Sequence, residues 1–469
     1  MNYVGTARPI HDAKGKATGY TKYAGDLSLP NMAYLCMLHS KIPHGYVKAV
    51  HAEKALALPG VYGVYHCLNT SDRKYNRYRS SFNQAYLANE ERAFNQYVRF
   101  VGDKIGVVAA CDQETAERAA RLVEVEYEEL PFSIGFDDTL AGKNCLEGET
   151  PVRDEYTLEV GKKQESTEGL IEVCSTMELP RLHHATMETH ACIADYDPYS
   201  DMLTVYCPNQ AVHGIRTVLA DFLEMPESHV RVVKATMGGS FGAKQEWFLE
   251  PVTALVAKKL CRPVKLVYSR GEAMTDTIVR GAMRMSARGY YTPDGEMKEI
   301  YCDVTLDAGA YIGNAGDYVR ALAGKPTRCY RIPYMHYHGQ VISSNSPVSG
   351  AFRSWSAAEE ALMMERQLDA AAEKLGMDRL AIRLKNVARS GEEDKKLHLS
   401  LEDIRIGDAI TLGSEKFGWD KLKAEDAAFN ASQQRYRRGV GIGIGGHGNT
   451  YFPRFNDYGE GSISLNADG

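Results

Sequence analysis

Paired cysteines, long apolar runs and clusters of basic residues are all missing from this chain. Its ten cysteines include no C-x-x-C pair, and such pairs are the usual start of a zinc or iron–sulfur site. Scattered thiols are typical of proteins in a reducing compartment, where they pack as small apolar side chains. We therefore expect no iron–sulfur cluster in this chain, so any electrons that it takes up must leave through another protein.

The other absences exclude further classes of function. No apolar stretch approaches the roughly 18 residues that a membrane span requires, and the N-terminus lacks the charged and apolar regions of a signal peptide. The net charge is −6, without a basic stripe or a polybasic run. We therefore expect neither a nucleic-acid partner nor membrane association, and we expect a cytoplasmic protein.

The composition is that of an ordinary globular protein, with 44% hydrophobic and 25% charged residues. A length of 469 residues predicts two or more domains, because single cores stop growing well below this size. Residues 104–127 read as strand, helix and strand, which predicts a βαβ unit. Residues 136–156 have no periodicity, so we interpret them as a linker between domains at 1–135 and 157–469.

Several other elements are predicted from hydrophobic periodicity. The predicted strands include 61–66, 264–268 and 297–306, and the predicted helices include 212–223, 246–259 and 357–375. In the last helix the Met and Leu stripe predicts core packing. Residues 461–465 are strand-like and precede Asp468-Gly469, a pair typical of hairpin turns. We therefore expect a hairpin whose second strand would follow Asp468-Gly469 and is not part of this sequence.

The main functional signal is the stretch M-G-G-S-F-G-A-K at 237–244. Its glycines, Gly238, Gly239 and Gly242, allow positive φ and let backbone N–H groups face a ligand, beside the start of a predicted helix. The functional interpretation is a cradle for an anion or a cofactor. A glycine-rich turn without a ligand is the alternative for this stretch taken alone.

A second candidate site is a group of histidines. His183, His184, Glu188 and His190 have side chains that can bind metals. Pro180 and a predicted strand at 191–196 favour an extended path, which would separate these side chains. We favour hydrogen-bonded polar residues that line a cleft wall over a metal site.

Four features, taken in order, resemble the molybdenum-binding subunit of the molybdenum hydroxylases, the xanthine dehydrogenase and aldehyde oxidase family. They are Gln210, residues 237–244, residues 307–311 and A-F-R at 351–353. Earlier motifs resemble the α/β hammerhead domain of that family. They are D-A-x-x-K-x-T-G from Asp12, P-H at 43–44, L-P-G-V from Leu58, V-G-D from Val101 and E-Y-E-x-L-P from Glu126.

The resemblance covers nearly the whole chain and implies an α+β fold in which helices pack on mixed sheets. The hammerhead domain would occupy 1–135. The first part of a molybdopterin-binding domain would occupy 157–469, with the C-terminal half of that domain absent.

The resemblance implies a molybdenum held by the dithiolene of molybdopterin, with the cytosine dinucleotide form left open, and no direct protein ligand. Gln210 and the Phe241 N–H would lie beside oxygen ligands of the metal. Arg353 would sit next to it and stabilise charge that develops on oxygen. The implied cofactor-binding residues are Gln210, Gly238, Gly239, Ser240, Phe241, Gly242, Ala243 and Arg353.

Three positions in the family vary with the substrate. Arg320 matches an arginine that purine-oxidising members use to hold a substrate oxygen, and Trp355 matches an aromatic ring that stacks on flat heterocycles. Gln245 stands where those members have a glutamate, and an amide cannot take up a proton. Nitrogen heterocycles are therefore favoured, but xanthine itself is not. Ser354 replaces the cysteine of the carbon monoxide dehydrogenase branch, which argues against a copper-bridged site.

Our hypothesis is hydroxylation of a purine-like heteroaromatic carbon, with water as the oxygen source and purine metabolism as the setting. Electrons would pass to a [2Fe-2S] subunit and an FAD subunit on separate chains, because neither motif occurs here. The general base would lie in the missing half, so a second polypeptide is an expected partner. The alternatives are an aldehyde oxidoreductase, and a non-catalytic fragment or half-subunit that needs a second chain.

Overall fold

The computed structural model describes residues 4–78, 89–146, 150–432, 435–447, 461 and 463–467. The first part of the chain is built from short strands and short helices. Its strands are β1 (Ala33–His39), β2 (Gly45–His51), β3 (Val61–His66), β4 (Lys74–Tyr75), β5 (Glu91–Arg92), β6 (Tyr97–Val98), β7 (Lys104–Ala110) and β8 (Glu124–Glu129). Its helices are α1 (Ala13–Ala17), α2 (Glu53–Leu56), α3 (Gln113–Ala120) and α4 (Phe136–Leu140).

The second part has longer elements. Its strands are β9 (Val152–Gly161), β10 (Ile171–Leu179), β11 (Ala191–Asp197), β12 (Met202–Cys207), β13 (Val230–Lys234), β14 (Val264–Val267), β15 (Ala282–Tyr291), β16 (Met297–Asp307), β17 (Tyr334–Ile342), β18 (Glu393–Asp394) and β19 (Leu399–Ser400). Its helices are α5 (Val212–Leu223), α6 (Glu250–Leu260), α7 (Arg270–Asp276), α8 (Ala315–Ala323), α9 (Pro326–Cys329), α10 (Ala357–Leu375), α11 (Arg379–Asn386), α12 (Ile406–Phe417) and α13 (Trp419–Ser432).

A seven-stranded sheet joins the two parts, in the order β13-β12-β11-β14-β1-β7-β3. Strand β1 pairs in parallel with β14, with Ala33 opposite Val264, and antiparallel with β7 on its other side. Within the segment predicted as a linker, α4 forms and β9 begins. The domain limits at 136–156 stay a prediction, but the two predicted domains share one sheet.

A five-stranded sheet, in the order β10-β15-β16-β17-β9, forms the second layer of the later part. Helices α8 and α10 pack on it. On α10 the side chains of Met363, Met364 and Leu368 are fully buried in the core cluster that includes β15, β16 and β17. Of the stripe predicted at 361, 362, 364, 368 and 371, the core role is confirmed for Met364, Leu368 and Ala371, whereas Leu362 is exposed.

The predicted βαβ unit at 104–127 is wrong. Strand β7 lies inside the seven-stranded sheet with every residue buried, whereas β8 pairs with β2 in a separate three-stranded sheet. The reason lies in the side chains of β8, whose Glu124, Glu126 and Glu128 are exposed. A strand with one charged face needs a sheet that is open to water on that face.

Other predictions agree with the structure to different degrees. Helices α5 and α10 and strand β3 have the predicted limits. Helix α6 begins at Glu250 rather than 246, with Pro251 in its first turn, a position that suits proline. Described residues at 461–465 form no strand, and Asp468-Gly469 lie outside the described residues. In the described part of the chain no helix is both long and apolar enough to cross a membrane.

Candidate functional site

The glycine-rich loop at 237–244 connects β13 to the segment before α6. Three of its residues have positive φ, namely 100° at Gly239, 54° at Phe241 and 105° at Gly242. A Cβ atom at Gly242 would lie 2.5 Å from the Ala351 carbonyl oxygen, so only glycine fits there. Among the described residues, the N–H groups of Gly239, Ser240 and Phe241 have no hydrogen-bond partner. The loop therefore offers consecutive free donors to a ligand.

One carboxylate holds both ends of this loop. Glu188 Oε2 accepts a hydrogen bond from the Gly238 N–H at 2.7 Å and another from Lys244 Nζ at 2.6 Å. The Glu188 N–H in turn donates to the Gly238 carbonyl at 3.1 Å. Lys244 is buried, and burial lowers the pKa of its ammonium group. Because Glu188 bonds both residues through one oxygen atom, it fixes the span of the loop.

Gln210 lies beside the loop, on the turn between β12 and α5. Its N–H donates to the Lys244 carbonyl at 2.8 Å, and its Oε1 accepts from Ser240 Oγ at 2.6 Å. The neighbouring Asn209 is buried and donates to the Glu246 carbonyl at 2.7 Å. The side chain of Gln210 is exposed, so a ligand can reach its amide group.

A second loop, residues 350–356, packs against the first. The Arg353 N–H donates to the Phe241 carbonyl at 2.7 Å, and the Arg353 carbonyl accepts from Arg280 Nη2 at 2.9 Å. The Arg280 guanidinium lies 4.3 Å from the centre of the Phe352 ring. The side chain of Arg353 is exposed. The two loops thus place Phe241 and Arg353 side by side. We call the surface formed by Gln210, the N–H groups of 239–241 and Arg353 the mouth of the site.

Two histidines hold the carbonyl groups of these loops. His184 Nε2 donates to the Ala351 carbonyl at 2.8 Å, and His190 Nε2 donates to the Ala243 carbonyl at 2.9 Å. Burial lowers the pKa of each imidazole to about 4, so both rings are neutral at neutral pH. The hydrogen bonds of Nε2 agree with the interpretation as polar residues, whereas Nδ1 of both rings is buried without a partner among the described residues. No group of His, Cys, Asp and Glu side chains that could hold a metal occurs in the described residues.

Two of the three predicted substrate positions, Arg320 and Trp355, contact different partners. Arg320 on α8 forms a bidentate pair with Asp154 of β9, at 2.5 and 2.8 Å. Trp355 instead packs edge-on against Tyr318, with ring centres 5.7 Å apart. Tyr318 and Arg320 are two positions apart on a helix, hence about 200° apart around its axis. The α8 side chain that meets Trp355 is therefore Tyr318. Gln245 is half-buried at the end of the glycine-rich loop.

Behind Trp355 lies a buried lysine. The Lys325 ammonium group donates to the Trp355 carbonyl, and to Ser356 Oγ at 2.7 Å. Burial lowers the pKa of Lys325 to about 8, and burial raises the pKa of nearby Glu360 to about 8. Ser354 and Ser356, with φ of 77° and 62°, adopt the left-handed conformation that glycine favours.

Sequence reasoning missed the residues that support these loops. The sequence interpretation does not include Glu246, Arg280 or Lys325, and it places Glu188 among hydrogen-bonded polar residues of a cleft wall without showing that Glu188 supports the glycine-rich loop. Each bonds to a residue far away in the chain, so neither spacing nor periodicity could reveal its role. The one local signal is at Glu246, which stands directly before the apolar run W-F-L.

The residues at this mouth fit molybdopterin. Free backbone N–H groups, the side-chain NH2 of Gln210 and the Arg353 guanidinium are donors that suit an oxygen-rich anionic group. Gly242 also keeps the loop pressed against Ala351, where a Cβ atom would force the two loops apart. The mouth therefore offers hydrogen-bond donors for the cofactor, and none of these groups has to bind the metal itself.

Comparisons with known proteins point to the same cofactor. The family model for the molybdopterin cofactor-binding domain matches residues 149–387, about half of the chain. The chain belongs to the molybdenum hydroxylase family. The family model for the aldehyde oxidase and xanthine dehydrogenase α/β hammerhead domain matches residues 18–131. The resemblance read from the motifs and the α+β fold are therefore confirmed.

Named relatives of this molybdenum hydroxylase chain include the xanthine dehydrogenase molybdenum-binding subunit of Escherichia coli O157:H7. It is 29% identical over 473 residues, which cover 98% of this chain and 61% of the relative. The nicotinate dehydrogenase large molybdopterin subunit of Eubacterium barkeri is 30% identical, over 81% of this chain and 88% of the relative. The chain thus spans about three fifths of the first relative but most of the second.

Solved structures support the fold. Quinoline 2-oxidoreductase from Pseudomonas putida 86 superposes with a TM-score of 0.84 at 23% identity, over 91% of this chain and 56% of that chain. At this identity the likeness concerns the fold alone.

Proposed function

We propose that this chain is the molybdenum-cofactor subunit of a hydroxylase that oxidises a carbon of a flat nitrogen heterocycle with water as the oxygen source. The observation that carries the proposal is the mouth formed by Gln210, the free N–H groups of 239–241 and Arg353. When bound there, the molybdenum cofactor would supply the two-electron oxidation of the substrate carbon. We include the cytosine dinucleotide form of the pterin and a cytoplasmic location in the proposal.

In this proposal the protein groups bind and orient. The Phe241 N–H and the Gln210 amide would hold oxygen atoms of the cofactor in place, because the loop fixes the direction of both donors. The Arg353 guanidinium would stabilise negative charge that develops on oxygen during the reaction. No residue in the described chain is assigned as the general base.

The proposed substrate is a heterocycle that stacks on Trp355 rather than one that needs a free arginine. Arg320 is engaged by Asp154, and Gln245 carries no charge. These two features favour pyridine-like rings over xanthine, in line with the relative named nicotinate dehydrogenase. Tyr318, which packs on Trp355, would then border the ring.

We propose three partner chains: a [2Fe-2S] subunit, an FAD subunit, and a second polypeptide that carries the rest of the molybdopterin-binding fold. The second polypeptide is supported by the match of this chain to 88% of a relative that is named a large molybdopterin subunit. A molybdopterin subunit of similar extent thus exists. The second polypeptide would supply the general base.

An aldehyde oxidoreductase is the second candidate. The observation in its favour is again the Arg320–Asp154 pair, because an aldehyde substrate has no purine carbonyl oxygen for Arg320 to hold.

The test is purification from the native host, followed by measurement of molybdenum and pterin, identification of co-purifying chains, and turnover of pyridine carboxylates, purines and aldehydes. We expect about one molybdenum per chain and oxidation of the pyridine ring. Oxidation of aldehydes alone would select the second candidate. Absence of metal, pterin and partner chains would contradict both candidates and leave a non-catalytic fragment.

A further inference from the structure

A buried carboxyl group lies at the meeting point of the site's segments. Glu246 stands two residues after the glycine-rich loop, and only 1% of its surface is exposed. Its Oε1 accepts a hydrogen bond from the Ala351 N–H at 3.2 Å and another from Asn314 Nδ2 at 3.2 Å. Asn314 is the N-cap of α8, the helix that carries Tyr318. One oxygen atom thus ties together the first loop, the second loop and α8.

The space around this carboxyl group is closed. A Cβ atom at Gly350 would lie 2.6 Å from Glu246 Oε1 and 2.6 Å from a side-chain carbon of Ile278. The glycine therefore lets the second loop approach close enough for the Ala351 N–H to donate. This geometry leaves little freedom for the Glu246 side chain to turn.

Two oxygen atoms of this cluster have no partner in the described residues. Glu246 Oε2 and Asn314 Oδ1 are both buried and unpaired, although the other halves of the same two groups are bonded to each other. If Glu246 were ionised, both atoms would be acceptors and both would be left unsatisfied at a cost. If Glu246 is a carboxylic acid, its O–H can donate to Asn314 Oδ1, and the acid and the amide form a cyclic pair.

We propose that Glu246 is a neutral carboxylic acid at neutral pH, that its proton is donated to Asn314 Oδ1, and that it is the positioning residue that couples the two site loops to α8. Arg77 is the positive group that faces it, and Arg77 is itself paired with Glu91. The inference concerns how the site is held together. It does not depend on which substrate the enzyme takes.

The electrostatics agree with this geometry. Burial raises the pKa of Glu246 to about 8; the Arg77 charge and the Ala351 N–H act in the opposite direction, and the Glu91 charge adds to the increase. A carboxyl group whose pKa is higher in the folded state stabilises the fold fully below its unfolded pKa of about 4.5. That contribution is lost as the pH rises through about 8. Above this pH the contacts between the loops should loosen.

The primary experiment is infrared spectroscopy of the native protein across pH 6 to 10, focused on the C=O stretch of protonated carboxyl groups. We expect a band that disappears near pH 8 and that is missing in Glu246→Gln at every pH. Glu360→Gln is the matched control, because Glu360 is another buried carboxyl group with a pKa raised to about 8. Its variant should keep the Glu246 band. A spectrum that is identical in native protein and Glu246→Gln would overturn the proposal.

Hydrogen exchange of the Ala351 amide, compared at equal pH, gives a second measurement. Glutamine can make the same cyclic pair at any pH, so exchange in Glu246→Gln should equal the native rate at pH 6 and be slower at pH 9. Equal rates at both values would count against the proposal. If Glu246→Gln does not fold, Asn314→Leu removes the proton acceptor and must shift the carboxyl band. An unshifted band in that variant would also overturn it.

Discussion

At the scale of single residues, Gly242 is the tightest point of the site. Its φ is 105°, and an added Cβ atom would meet the backbone of Ala351 and Phe352. We predict that Gly242→Ala lowers the free energy of unfolding by about 2–4 kcal/mol, from backbone strain and the forced separation of the loops. Molybdenum content should fall with it. Urea unfolding and metal analysis of the purified protein measure both effects.

Gly413→Ala is the control for that substitution. Gly413 lies within α12, has no positive φ, and has no heavy atom within 4 Å of an added Cβ atom. Alanine is the better helix former, so this variant should gain about 0.5–1 kcal/mol and keep its metal. If both variants lose metal equally, the fit of the two loops at Gly242 is not what retains the cofactor.

The sequence predicts the residues of the two loops, but it does not predict the residues that support them. Gly238, Gly239, Gly242 and Arg353 stand in local motifs, and the structure brings their loops into contact. Glu188 bonds a residue 50 positions away, and Glu246 bonds one 105 positions away. Such partners depend on the folded path of the chain, so no spacing in the sequence could show them.

At the scale of elements, the Arg320–Asp154 pair joins α8 to β9. The two side chains are mostly buried, and Gly316 leaves room for them because a Cβ atom there would lie 2.2 Å from Asp154 Oδ2. We predict that Arg320→Met and Asp154→Asn each lower the free energy of unfolding by about 1–3 kcal/mol. The double variant should lose less than the sum of the two, and the KM for a heterocycle should stay unchanged. A double-mutant cycle with kinetics tests this.

Two outcomes would contradict the prediction for the Arg320–Asp154 pair. A raised KM in Arg320→Met with unchanged stability would mean that the guanidinium works on the substrate and not on the helix. Additive losses would mean that the two side chains do not interact in solution.

Secondary structure was the most predictable level. Strand β3 and helices α5 and α10 have strong periodicity, and their limits agree with the structure. The βαβ prediction failed because adjacent strands were assumed to share a sheet, while the charged face of β8 requires a different one. Helix α6 begins later than predicted: Glu246 is bonded to Ala351, and Trp247, Phe248 and Leu249 pack in the hydrophobic core before the helix starts.

At the scale of the whole molecule, the seven-stranded sheet makes the two predicted domains depend on each other. Strands β1, β7 and β3 lie on one side of β14, and β11, β12 and β13 lie on the other. We predict that strands β1, β3 and β7 and strands β11 to β14 lose protection together in a single unfolding transition, because neither group can expose its edge at low cost. Hydrogen exchange read by mass spectrometry along a urea series measures this. Separate midpoints for β7 and β12 would show that they unfold as independent domains.

The pairing of β1 with β14 also has a consequence for synthesis. Ala33 leaves the ribosome about 230 residues before its partner Val264, which at ordinary elongation rates is a delay of roughly 10 to 50 seconds. During that time one edge of β1 has no strand beside it, and an open edge attracts other chains. The nascent protein therefore needs protection at this edge of β1 until Val264 has also been made.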